Sequence, residues 1–231
     1  MKKKNKYFYE MKGTYLNIFS IIIFIVMLLF TLLLGRLFGV NYYITTEIEF
    51  IIVWLLYIPY IIFHEILHSI GYVANGADFK RITYGVHLEK GVLCCSCKQV
   101  INRKNILWSL IYPLLFIGII TYVISAIFNL KILMLLSIFN ISGCAGDIIM
   151  FFAFLKIKNF KFFEYDNPMA FGVVTNENLE NKKFIGLKRI EESNFKQTID
   201  KKISISKTSI IFFAIYIVIM LSGLIFALMV E

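Results

Sequence analysis

Two imidazoles and a carboxylate stand together in His64-Glu65-Ile66-Leu67-His68, inside an otherwise apolar run. Residues four apart in a helix lie one above the other, so His64 and His68 can present ligand nitrogens to one ion with Glu65 beside it. That set suits a zinc ion that activates water, with Glu65 as the general base taking the proton. The bland alternative is a pair of structural histidines sharing a face. Ionisable groups within membrane segments are costly and usually functional, which weighs against it.

The elements that must carry this stretch are membrane helices. Hydrophobic residues make up 59% of the 231 and only 17% are charged, with a mean hydropathy of +0.76, far outside the soluble range. The expected fold is an all-α membrane protein, a single membrane domain over 1–231. About five transmembrane helices fall near 18–38, 50–73, 106–128, 132–155 and 208–230, with a small cytoplasmic β-hairpin between spans two and three. Pro59 should bend the second span just ahead of the motif, and Asn75-Gly76 should end it. The hairpin is read from the β-rich runs 82–88 and 92–101 around Glu89-Lys90-Gly91. Two readings of it stand side by side, an edge that pairs with an extended peptide and a plain cytosolic hairpin. Lys156 to Lys207 reads as a charged segment without periodicity, whose aromatic and basic opening, Asn159 to Tyr165, suits the membrane interface.

The net charge of +9 follows from topology and not from nucleic-acid binding, because the lysines are spread over the loops with no basic helix to read bases. Five Lys and Arg precede the first span, six lie between spans two and three and 11 between 156 and 207, against Arg36 and Lys131 on the other side. Cationic loops stay in the cytoplasm, so the N-terminus is expected inside and the C-terminus outside a bacterial cell membrane. The cysteines, Cys94, Cys95 and Cys97 in one loop and Cys144 in a span, form no secreted disulfide framework. Cys94-Cys-Ser-Cys97 has the C-x-x-C spacing for metal or redox chemistry, but it lacks a second pair.

A catalytic zinc needs a third protein ligand. Glu89 has zincin-like spacing but falls in the hairpin turn. Ala74 occupies the place of a third metzincin histidine, and His87 is too far along. Asp147 is favoured by depth: counted back from the cytoplasmic ends of spans two and four, it lies within roughly 6 Å of the level of His64 and His68. Asn140, Gly143 and Asp147 follow a 0, 3, 7 spacing on one face, so the glycine would allow close helix approach. Asn140 would hold a substrate carbonyl or the oxyanion of a tetrahedral intermediate.

These residues resemble membrane metallopeptidases of the site-2 protease type, and more narrowly a family of bacterial multi-pass zincin peptidases of unassigned substrate. The resemblance covers about 51–172, the metallopeptidase-like core. It rests on His64-Glu65-x-x-His68, Pro113 in the next span, the glycine-flanked Asp147 and Asp166-Asn-Pro168. It implies His64, His68 and Asp147 as zinc ligands and Glu65 as general base. The site-2 type carries Leu-Asp-Gly around its aspartate, whereas this chain has Gly146-Asp147-Ile148. The expected activity is zinc-dependent hydrolysis of a peptide bond in a membrane-inserted or membrane-proximal protein, within the lipid bilayer. The alternatives are a non-catalytic metal-binding membrane protein acting as sensor, scaffold or immunity factor, and a metal transporter.

Overall fold

A computed structural model describes residues 4–42, 44–87, 92–164 and 170–194. Three helical runs in it are long and apolar enough to cross a membrane: α1 (Gly13–Phe38), α2 (Glu47–Ala74) and the run Arg103–Phe128. Each end has a local cause. Gly39, at φ 67, takes the left-handed conformation that closes α1. Thr46 and Glu49 form a capping box that starts α2. Asn75 and Gly76, the latter at φ 93, end it as expected. The anticipated fifth span, 208–230, lies outside the described residues.

Pro59 leaves α2 a single continuous helix. The irregularities fall in its neighbours. The run Arg103–Phe128 comprises α3 (Arg103–Pro113), a π-helical stretch (Leu114–Ile120) and α4 (Thr121–Phe128). The π stretch begins directly after Pro113, and its Ile117 carbonyl accepts hydrogen bonds from the hydroxyls of Tyr60 and Thr121. Side chains on its own run and on α2 therefore satisfy backbone that an α-helical ladder would have satisfied. The fourth expected span is broken: α5 (Lys131–Gly143) and α6 (Ala145–Leu155) meet at 46°, with Cys144 as the joint.

The all-α expectation gives way to a mixed architecture. Strand β1 (Asn5–Met11) precedes α1. Strands β2 (Ile82–His87) and β3 (Val92–Cys97) form the expected hairpin, whose connecting residues 88–91 lie outside the described residues. Strand β4 (Ile101–Asn102) leads into α3, and β5 (Phe160–Glu164), β6 (Ala170–Thr175) and β7 (Leu187–Ile190) follow α6. Five of these form an antiparallel sheet in the order β4-β5-β6-β1-β7. The segment expected to lack periodicity thus contributes three strands, and the stretch expected in the membrane interface contains β5. β1 sits inside the sheet, paired with β6 from Asn5↔Thr175 to Glu10↔Ala170 and with β7 from Phe8↔Ile190 to Met11↔Leu187.

One face of the sheet closes over the ends of α3 and α6. Phe154 of α6, Phe162 of β5 and Phe171 of β6 meet edge-on or tilted, with centroids 5.3 to 5.6 Å apart, and all are at most 2% exposed. Burying aromatics of this size makes the sheet part of the helical core rather than an appendage. A second cluster, around Tyr122, Met134, Ile138 and Ile141, joins α1, α4 and α5.

Candidate metal centre

His64 and His68, one turn apart on α2, turn their Nε2 atoms to within 3.0 Å of each other. Asp147, in the first turn of α6, brings Oδ2 to 3.5 Å from each of them. The break at Cys144 starts a new helix just ahead of this carboxylate. A helix N-terminus favours negative charge, so the break suits a carboxylate at this position.

The opposite ring nitrogens fix the tautomers. His68 Nδ1 lies 2.8 Å from the Ser109 carbonyl oxygen, which can only accept, so Nδ1 carries the hydrogen. His64 Nδ1 lies 2.7 Å from Asn140 Oδ1. The orientation of that amide is set from its other side, where Nδ2 donates to the Pro113 carbonyl at 3.1 Å. Both rings therefore donate through Nδ1 and hold lone pairs on Nε2. Two lone pairs and a carboxylate oxygen converge on one point, an arrangement that repels itself unless a cation occupies the centre. Four-coordinate zinc with ligand distances of about 2.0–2.1 Å has its donors about 3.3–3.4 Å apart. The observed edges of 3.0, 3.5 and 3.5 Å bracket that value, so the donor set fits zinc in chemistry and in size.

The close approach of α2 to α3 that delivers the Ser109 carbonyl depends on Gly71. A Cβ there would stand 2.5 Å from Ser109 Cα and 2.9 Å from its nitrogen. Ser109 Oγ returns a hydrogen bond of 2.9 Å to the His68 carbonyl, locking the two helices at the site. Gly143, expected to allow close helix approach, has open space where its Cβ would stand. It lines the cavity beside the three ligands instead.

That cavity measures about 330 Å³. Glu65, half-buried, lines it next to His64 and His68, as do Asn140 and Tyr60. Leu93, Cys94 and Cys95 of β3 form another wall, and Leu16, Asn17 and Ser20 of α1 a third. Among the described residues, His64, His68 and Asp147 are the group with metal-ligand spacing, and the four cysteines lie outside it and form no disulfide. Glu89 lies outside the described residues, and His87 ends β2. Ser109 and Pro113, whose carbonyls hold the two inner contacts, were not singled out for this role by sequence. A backbone acceptor leaves no side-chain signature, although Pro113 marked the span.

Residues 57–161 match the model of a family described as "Putative zincin peptidase". No curated protein and no solved structure matches the chain. The matched stretch contains all three candidate ligands, Glu65 and the residues that hold the two imidazoles.

Proposed function

We propose that the protein is a membrane-embedded, zinc-dependent endopeptidase that hydrolyses a peptide bond of a membrane-inserted or membrane-proximal protein. The observation that carries this reading is the convergence of His64 Nε2, His68 Nε2 and Asp147 Oδ2 in a cavity that Glu65 also lines. Zinc held by these three would lower the pKa of water and polarise the scissile carbonyl.

The chain's own residues supply the rest. Glu65 takes the proton of the attacking water at its carboxylate and returns it to the leaving nitrogen. The Ser109 carbonyl holds His68, and Asn140 holds His64, so both rings keep their acceptor nitrogens toward the site. The Asn140 amide is engaged with His64 and Pro113. We therefore assign it a positioning role in place of direct oxyanion binding.

A peptide bond is shielded inside a helix, so the substrate must be extended where it is cut. Strand β3 pairs only with β2 among the described residues, and its Leu93-Cys94-Cys95 stretch borders the cavity. This edge would hold an extended peptide by backbone hydrogen bonds. The membrane orientation that agrees with the distribution of lysine and arginine puts the sheet, the hairpin and the N-terminus in the cytoplasm.

The decisive experiment compares membrane proteomes of cells carrying the wild-type protein or Glu65→Gln. A precursor that accumulates with Glu65→Gln while the purified variant keeps stoichiometric zinc supports the peptidase. Bound zinc with identical proteomes would assign a non-catalytic metal-binding role.

A further inference from the structure

A second cavity, of about 450 Å³, shares no lining residue with the metal centre. Five of its lining residues are Lys4, Arg103, Lys104, Lys158 and Lys161, and no carboxylate lines it. Among the described residues none of these five cations is within 4.0 Å of a carboxylate. They come from distant parts of the chain: the residue before β1, the start of α3, the link after α6, and β5. The fold thus collects positive charge that the sequence leaves dispersed.

The cleft has fixed walls. Arg103 Nε donates to the Ile157 carbonyl at 2.9 Å, which ties the start of α3 to the link between α6 and β5. The same link is held from its other side by Glu177, whose Oε1 accepts from the backbone N–H groups of Lys158 at 2.7 Å and Asn159 at 3.4 Å. Lys182 pairs with the second oxygen of Glu177 at 3.0 Å, so this carboxylate is already neutralised by its own partner.

The position of the cleft narrows the ligand. Arg103 is the first residue of the apolar run Arg103–Phe128, and Lys158 follows closely on α6, which ends at Leu155. In the proposed orientation, the cations stand where these helices leave the hydrocarbon on the cytoplasmic side. That is the depth of phospholipid phosphates, and basic pockets there attract anionic headgroups. We propose that this cleft binds a phosphate group of the kind an anionic phospholipid headgroup presents. The site is separate from the metal centre and does not depend on zinc.

The test uses the full chain, reconstituted in nanodiscs of phosphatidylcholine with or without phosphatidylglycerol and then released for native mass spectrometry. A parallel arm measures inorganic phosphate binding in pure phosphatidylcholine discs by equilibrium dialysis. The cleft variant is Lys104→Ala/Lys158→Ala/Lys161→Ala, three exposed side chains. A charge-matched control removes three exposed lysines elsewhere, Lys80→Ala/Lys183→Ala/Lys188→Ala. The expected result is roughly tenfold preferential retention of phosphatidylglycerol, lost in the cleft variant and kept in the control. Saturable inorganic phosphate binding lost in the same variant, without lipid preference, supports the phosphate site and assigns it a soluble source. No preference in either arm, or equal loss in the control variant, overturns it.

Discussion

Asn140 and Asp147 address one imidazole from its two sides: Asn140 Oδ1 lies 2.7 Å from His64 Nδ1, and Asp147 Oδ2 lies 3.5 Å from His64 Nε2. The two residues sit on either side of the break at Cys144, so α5 supplies the acceptor that fixes the tautomer and α6 supplies the neighbouring ligand. Replacing Asn140 with Leu removes that acceptor and leaves all three ligands in place. Zinc affinity, measured by competition with a chelator, should fall about 10–100-fold, and Asn140→Asp, which keeps an acceptor oxygen, should recover most of it.

Glu65→Gln separates binding from chemistry. The amide is nearly isosteric and is not one of the three converging ligands, so metal content by atomic spectrometry should stay at the wild-type level. Hydrolysis should drop by about 10²–10⁴-fold, the usual contribution of a positioned general base.

Gly71 and Gly143 should respond differently to alanine. At Gly71 the new methyl group meets Ser109 backbone at 2.5 Å, and backbone cannot swing aside as a flexible side chain can. We expect Gly71→Ala to cost about 1–3 kcal/mol, to lower Tm, and to weaken zinc binding because the Ser109 carbonyl moves away from His68. Gly143→Ala enters open space, so its Tm should stay close to that of the parent.

Tyr9 is 3% exposed, and its hydroxyl has no hydrogen-bond partner among the described residues. Burial pushes its phenol up to about 12 from an ordinary value of 10.0. Since the folded state favours the neutral phenol, this contribution to stability is complete below pH 10. It is lost as pH rises toward 12, where the unfolded chain ionises first. Tyr9→Phe should lose that alkaline slope in denaturation measured across pH 9 to 12. At pH 7 the variant should be about 1 kcal/mol more stable, because an unsatisfied buried hydroxyl is removed.

Much of the site was readable from the chain because its signals are local or additive. The i, i+4 histidines need only a helix, and the depth of Asp147 needs only the span ends and 1.5 Å per residue. The sheet was not readable, for two physical reasons. In β1 the consecutive residues Tyr7, Phe8 and Tyr9 are all buried, because Tyr7 and Tyr9 pack on the core below and Phe8 packs with Phe163 and Ala170 on the other face. Period-two alternation, the usual mark of a strand, is therefore missing. The partners of β1 also lie some 165 residues away, at Ala170–Thr175, beyond any local pattern. In β5 the alternation is present, with Phe160 and Phe162 buried and Lys161 exposed, but it is short and lies in a charged stretch. The break at Cys144 and the π-helical stretch after Pro113 arise from tertiary packing that proline and glycine only hint at.

The sheet carries a mechanical consequence. β1 runs into α1, β4 runs into α3, and α6 runs into β5, so three helices around the metal centre are strapped together at one end by a single set of strands. Their far ends have no such strap among the described residues. A widening of the cavity that keeps the sheet intact must then be a splaying of the far ends about a fixed base, like the legs of a tripod, and not a parallel separation of helices. In such a splay, displacement grows with distance from the sheet.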